Sequence, residues 1–126
     1  MAESNKPKEL ILVVEDETLI RMNSVDMIRD LGFEVIEAVN ADEAVSLLET
    51  VPGIKVVFTD IQMPGSMDGL KLAKFVRGRW PPIAIVATSG RLALGEGELP
   101  EGGVFIPKPY SFGAVATALR GVTGNA

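Results

Sequence analysis

The sequence predicts an α/β fold, a doubly wound parallel sheet with helices on both faces. Two observations carry this. Short apolar, β-branched runs alternate with helix-period segments five times along 126 residues. The strongest runs are also continuous rather than alternating, as expected of strands covered on both sides.

Glu9 to Val14 is the first such run (Glu-Leu-Ile-Leu-Val-Val) and ends in Glu15-Asp16-Glu17. Thr18 to Leu31 follows as a helix with Ile20, Ser24, Met27, Ile28 and Leu31 at helical spacing, and Gly32 closes it. Phe33 to Ala38 is a second strand whose partial alternation suits a sheet edge. Asn40 or Ala41 opens a helix to about Thr50, with Ala44, Val45, Leu47 and Leu48 inward, broken by Pro52-Gly53. Val56 to Thr59 is a buried strand ending in Asp60, and a loop with Pro64, Gly65 and Gly69 leads to a helix over Gly69 to about Arg77, with Leu70, Ala73 and Val76 on one face. Ile83 to Ala87 is the fourth strand, followed by Thr88-Ser89-Gly90. Arg91 to Gly103 holds Gly95, Gly97, Pro100, Gly102 and Gly103, so at most one short helical turn is expected there, an irregular or shortened fourth helix. Val104 to Ile106 is the fifth strand, ended by Pro107-Lys108-Pro109, and Ser111 caps a last helix to about Val122.

Among doubly wound sheets, the flavodoxin-like five-stranded order 2-1-3-4-5 fits best. It makes strands 1 and 3 neighbours at the switch point, so Glu15, Asp16 and Asp60 converge at the carboxyl edge, where open α/β sheets bind ligands. The length predicts a single domain over 1–126, with its core at about 8–122 and no effector domain.

Composition narrows the chemistry. There is no histidine and no cysteine, which removes the usual general base, imidazole and thiolate metal sites, and any role as a phosphohistidine donor. A metal would have to be held by oxygen. The net charge of −5 argues against direct nucleic-acid binding. No apolar run approaches the about 18 residues of a membrane span, and the polar Met1–Glu9 has no signal-peptide core. A cytoplasmic protein without membrane contact is expected.

Three carboxylates at one edge repel one another, and a divalent cation relieves the conflict. Mg2+ suits them: Asp16 and Asp60 can give carboxylate ligands, Gln62 its backbone carbonyl, and Glu15 can act through a bound water. A carboxylate beside such an ion can attack phosphorus, giving an aspartyl phosphate. Phosphoryl transfer asks mainly for alignment and charge neutralisation, which the Thr88 hydroxyl and the Lys108 ammonium can supply from the ends of strands four and five.

With these residues in place the chain resembles the receiver domain of bacterial two-component response regulators, of the stand-alone, chemotaxis-receiver-like kind. The likeness rests on Val13-Val14-Glu15-Asp16-Glu17, on Asp60 with Met63-Pro64 and Met67-Asp68-Gly69, on Thr88-Ser89-Gly90 and on Lys108-Pro109, over roughly residues 8 to 122. It also supports the strand order given above. The resemblance implies that Asp60 accepts a phosphoryl group from a histidine kinase or a histidine phosphotransfer protein. It implies that Glu15, Asp16, Asp60 and the Gln62 carbonyl surround Mg2+, that Thr88 is the switch hydroxyl, that Lys108 pairs with the phosphoryl group, and that the Lys108–Pro109 peptide is cis. The output would be a contact with a downstream protein or onward phosphotransfer, and dimerisation on phosphorylation is left open. Such a domain phosphorylates and dephosphorylates itself with Mg2+ but is not a multiple-turnover enzyme.

The sequence departs from the common pattern in named places. Glu15 stands where many receivers have Asp, the Met63–Gly69 loop is one residue longer, and Phe105 replaces a frequent switch tyrosine. Pro107 stiffens the approach to Lys108, and the Gly-rich 95–103 segment replaces a firm fourth helix. Two other classes fit these residues less well. A haloacid-dehalogenase-type phosphatase needs its nucleophile on strand one with a second Asp two residues later, whereas that window reads Glu15-Asp16-Glu17. A phosphorylation-independent pseudo-receiver would not need the intact acid cluster. Among the remaining acids, Glu17 reads as a helix-dipole residue and Asp68 as a cap. Leu19 and Met22, off the apolar stripe of the first helix, form a candidate partner patch.

Overall fold

The computed structural model describes residues 8–63, 67–90 and 99–124. Five strands form one parallel sheet in the order β2-β1-β3-β4-β5. They are β1 (Leu10–Val14), β2 (Glu34–Ala38), β3 (Ile54–Asp60), β4 (Ala84–Ser89) and β5 (Val104–Pro107). The helices among the described residues are α1 (Thr18–Asp30), α2 (Ala41–Thr50), α3 (Gly69–Arg79) and α4 (Phe112–Thr123). The predicted fold class and strand order are both found.

The core has two halves, one on each face of the sheet. Leu12 and Val14 of β1 pack with Ala41, Ala44 and Leu48 of α2 and Leu72, Ala73 and Val76 of α3. Their neighbours Ile11 and Val13 pack on the other face with Val25 and Ile28 of α1 and Val115, Ala118 and Leu119 of α4. That two-sided demand explains why β1 is apolar without alternation. Each such side chain taken out of water contributes about 1.5–3 kcal/mol before the entropy of ordering it is subtracted.

Several boundaries and faces differ from the expectation. β3 starts at Ile54 rather than Val56, because pairing with β1 shifts register between Leu10 and Ile11 and lets Ile54 join below the irregularity. The exposed Lys55 had masked that extension. β4 begins at Ala84, one residue late, and runs on through Thr88 and Ser89, whose polar side chains are buried. Pro107 belongs to β5 and pairs with Ser89, which an edge strand allows. In α3 the fully buried leucine is Leu72, while Leu70 is half-covered, so the inward face is rotated from the one expected. In α1 Val25 joins Ser24 and Ile28 in the core, a position the periodicity had left out.

The caps follow the sequence. Asn40 accepts from the Glu43 N–H at 2.8 Å, and Glu43 returns a bond to the Val39 N–H at 2.8 Å. Ser111 accepts from the Ala114 N–H at 3.1 Å. Gly32 takes φ +98°, beyond the α1 C-cap at Leu31. Residues 99–103 form a turn, closed by Gly103 N–H to Pro100 O at 2.9 Å, with Gly102 at φ +84°. The expectation of a weak fourth helix falls mainly on 91–98, and the longer loop on 64–66, both outside the described residues.

Candidate functional site

Register brings the acids together. Val14 is paired with Thr59 across β1 and β3, so the next residues, Glu15 and Asp60, emerge side by side at the carboxyl edge. Asp16 follows Glu15 into the same space. One carboxylate oxygen from each of the three lies within 4.8 Å of the others. Glu15 and Asp60 are only 3% and 5% exposed, while Asp16 is the most open of the three.

Lys108 arrives from the far side of β4. Its N–H donates to Ser89 O at 2.8 Å, and the Lys108–Pro109 peptide is cis, as the resemblance implied. The Nζ donates to Glu15 Oε1 at 3.1 Å. It also stands 3.2 Å from Asp60 Oδ1, but there it misses hydrogen-bond geometry. Asp60 Oδ1 is thus buried, paired by charge alone, and without a hydrogen-bond partner among the described residues.

Burial is the main force on all these groups. It pushes the Asp60 carboxyl above the usual range, with Asp16 adding to the rise, and the Lys108 charge and the Gln62 N–H only partly offset it. Glu15 is raised for the same reason, desolvation first and then Asp60, against the Glu17 N–H and Lys108. For Lys108, burial pulls downward, but the Asp60 and Glu15 charges outweigh it and the net direction is up. One ammonium therefore serves two buried acids, Glu15 and Asp60.

This arrangement fits a hard divalent cation. The donors are oxygens, and the buried Asp60 Oδ1 lacks the hydrogen bonds that a satisfied carboxylate would have. The two carboxylate oxygens of Glu15 accept from Lys108 Nζ and from the Glu17 N–H, each at 3.1 Å.

The remaining sequence-predicted residues surround this cluster. Thr88 is in register with Asp60 on β4 and is buried, and its carbonyl receives the Ile61 N–H at 2.9 Å. Gln62 lies two residues past Asp60 on the exposed loop, its side-chain carbonyl accepting from Ser89 Oγ at 3.3 Å. Phe105 is half-buried on β5 in register with Ala87. Asp68 caps α3 by accepting from the Lys71 N–H at 2.9 Å. Glu17 is the N-cap residue of α1 but makes no side-chain cap. Leu19 and Met22 are 80% and 54% exposed.

Gly69 has a specific reason to be glycine. A Cβ there would fall 2.1 Å from the Asp60 carbonyl oxygen and 2.6 Å from Ile61 Cα. The first residue of α3 therefore rests directly on the backbone of Asp60, with its N–H donating to Ile61 O at 2.8 Å.

Sequence reasoning missed three supports. Arg21 donates to the Glu15 carbonyl at 2.9 Å and to Glu37 Oε1 at 3.1 Å, tying α1 to the end of β1 and to β2. Ser89 reaches Gln62. Tyr110 is hydrogen-bonded to Ser24. None of the three carried a signal in the sequence: the buried Ser24 on the apolar stripe of α1 finds a partner within its own helix, donating to the Ile20 carbonyl at 2.9 Å.

Fold and site together define the class: a doubly wound α/β domain with an acid cluster and one lysine at the carboxyl edge of its sheet. Comparison with known proteins narrows it. The sequence model of the response regulator receiver domain matches residues 11–120. The sensor kinase CckA of Brucella abortus is 33% identical over 114 residues, covering 87% of this chain and 12% of that protein. The transcriptional regulatory protein PdtaR of Mycobacterium tuberculosis is 32% identical over 113 residues, covering 87% of this chain and 54% of that protein. The chain thus spans about half or less of these relatives' length. Among solved structures, a response regulator receiver protein from Sinorhizobium medicae superposes with TM-score 0.86 at 25% identity, covering 93% of this chain and 95% of that one. The receiver domain of the hybrid histidine kinase CckA does so with TM-score 0.75 at 31% identity, over 90% and 97%. The chain belongs to the response regulator receiver domain family and has the receiver role in two-component signalling. Among the described residues, no helix is long and apolar enough to cross a membrane.

Proposed function

We propose that Asp60 is the phosphoacceptor, receiving its phosphoryl group from a phosphohistidine of a histidine kinase or histidine phosphotransfer protein. One observation carries this: the buried Asp60 Oδ1 has an ammonium 3.2 Å away and no other polar partner among the described residues. An Asp60 carboxylate oxygen bonds to phosphorus while the P–N bond to the donor imidazole breaks, and the electron pair of that bond returns to the ring nitrogen. Water later attacks the same phosphorus, the P–O bond to Asp60 breaks, and the carboxylate is restored.

Glu15, Asp16, Asp60 and the backbone carbonyl of Gln62 are the proposed Mg2+ ligands, Glu15 through water. When bound, Mg2+ would neutralise charge on the phosphoryl oxygens and the acid cluster. Lys108 is placed to trade its bond to Glu15 for one to the incoming phosphoryl group. Thr88, level with Asp60 on the next strand, offers a hydroxyl to the same group. The phosphoryl group carries about −1.5 to −2 but replaces the carboxylate's own −1, so it adds about −1 or less together with new acceptor oxygens, and shifts surface states toward a downstream protein contact or onward transfer. Phe105 can follow such a shift only by packing, having no hydroxyl. The reaction is one phosphorylation and one dephosphorylation of the chain itself rather than turnover of a separate substrate, and the reading requires no nucleic acid.

Intact mass after incubation with Mg2+ and acetyl phosphate tests the proposal. The wild type should gain one phosphate and Asp60→Asn none. Equal labelling of both would overturn it.

A further inference from the structure

The chain has one tyrosine, and it lies two residues past Lys108. Its hydroxyl is hydrogen-bonded to Ser24 Oγ on α1. Ser24 already donates its only proton to the Ile20 carbonyl at 2.9 Å, so Tyr110 is the donor in the pair. The tyrosine ring stands edge-on to Phe58, with centroids 5.8 Å apart and planes at 86°.

These contacts repeat the site one layer down. Lys108 meets Asp60 and Glu15. Tyr110 meets Phe58, two residues before Asp60 on β3, and Ser24, on the helix that follows Glu15. The same three segments are joined twice, once by charge at the carboxyl edge and once by a hydroxyl and two rings beneath it.

We infer that Tyr110 is a positioning residue: its bond to Ser24 and its edge contact with Phe58 hold the Lys108–Pro109 turn so that the lysine bridges Glu15 and Asp60, and they couple the lysine's position to helix α1. A lysine stem has large rotamer freedom, and aiming it is worth rate because a misplaced charge stabilises little. The backbone bond of Lys108 to Ser89 fixes one side of this turn, and Tyr110 fixes the other. The sheet offers no alternative phenol, since Phe105 on β5 is a phenylalanine. The inference rests on Asp60 as phosphoacceptor for its catalytic consequence, but the geometry of the lysine can be read without any phosphate.

Two measurements on Tyr110→Phe and Ser24→Ala test it. In metal-free wild type, the Lys108 ammonium should give a protected 1H–15N NMR cross-peak, identified by its loss in Lys108→Met. Either variant should broaden or shift that peak while retaining the folded amide spectrum. With Mg2+ and saturating acetyl phosphate, either variant should label roughly fivefold more slowly or worse, with the half-saturating donor concentration unchanged. The double variant should be no slower than the singles, because they break one bond. A Tyr110→Phe protein that folds, keeps the lysine peak and labels at the wild-type rate would overturn the inference. Wild-type labelling that survives Asp60→Asn would instead overturn the phosphoacceptor reading, and the lysine peak would still decide the positioning role.

Discussion

Lys108 Nζ donates to Glu15 Oε1 at 3.1 Å although Asp60 Oδ1 stands only 3.2 Å away. The lysine is thus held by the glutamate and shared by charge with the aspartate. An aspartate at position 15 would have an arm one methylene shorter, so Glu15→Asp should release Lys108 toward Asp60. Lower Mg2+ affinity of Asp60 and a changed lysine NMR resonance are the expected outcomes, read by titration of both proteins with Mg2+.

Removing the lysine should be costly. Lys108→Met leaves Glu15 and Asp60 buried together with no compensating cation. A loss of about 2 kcal/mol at neutral pH is expected, less than for a fully buried pair because Lys108 keeps some solvent. Urea denaturation in EDTA measures it, and added Mg2+ should recover part of the loss.

The acid cluster makes stability depend on pH with a definite sign. Both carboxyls are raised in the folded protein from ordinary values of 3.8 for Asp60 and 4.5 for Glu15. Between those values and the raised ones, the folded state binds more protons than the unfolded chain, so stability rises as pH falls through the folded values. Metal-free wild type should therefore gain stability relative to Asp60→Asn as pH is lowered from 7 toward 4. Lys108 acts at the other end: its contribution is complete below 10.5 and is lost as pH rises through its higher folded value. Denaturant midpoints across pH 4–11 in EDTA test both limbs, and a flat difference between the two proteins on the acid side would refute the first.

Divalent ion should stabilise the fold through the same acids. At about a hundredfold over its dissociation constant, Mg2+ should add about 2.7 kcal/mol to the wild type. Asp60→Asn, which removes one charge from the cluster, should gain far less. Thermal melts with Mg2+ and with EDTA give the comparison.

Gly69→Ala should fail for a steric reason. The new methyl would meet the Asp60 carbonyl at 2.1 Å, so either α3 or the end of β3 must move. A loss of about 3 kcal/mol, with weakened Mg2+ binding, is expected. Asn40→Ala is the contrast: losing the α2 cap should cost about 1 kcal/mol and leave Mg2+ affinity unchanged.

Much of this was legible in the sequence because the signals were local and redundant. Continuous apolar runs ending in Glu15, Asp60, Thr88 and Lys108 marked both the strands and the edge at which chemistry collects. Asn40, Asp68 and Ser111 announced their helices by capping chemistry that acts over three residues. What escaped were choices made by packing. Periodicity alone did not show that Leu72 rather than Leu70 faces the sheet, or that Val25 enters the core. The bonds from Arg21 to Glu15 and from Tyr110 to Ser24 span different elements, and no spacing rule encodes them.

The bond between Glu15 and Lys108 closes across 93 positions of the chain. No short fragment holds both ends, and a chain that has not assembled β1, β3 and β5 has an ordinary, solvated aspartate at position 60. Under the proposed role, phosphate uptake is then a property of the finished fold alone. Nascent, nicked or partly unfolded copies would be silent in signalling rather than falsely active, and the labelled fraction of a preparation would count its correctly folded molecules.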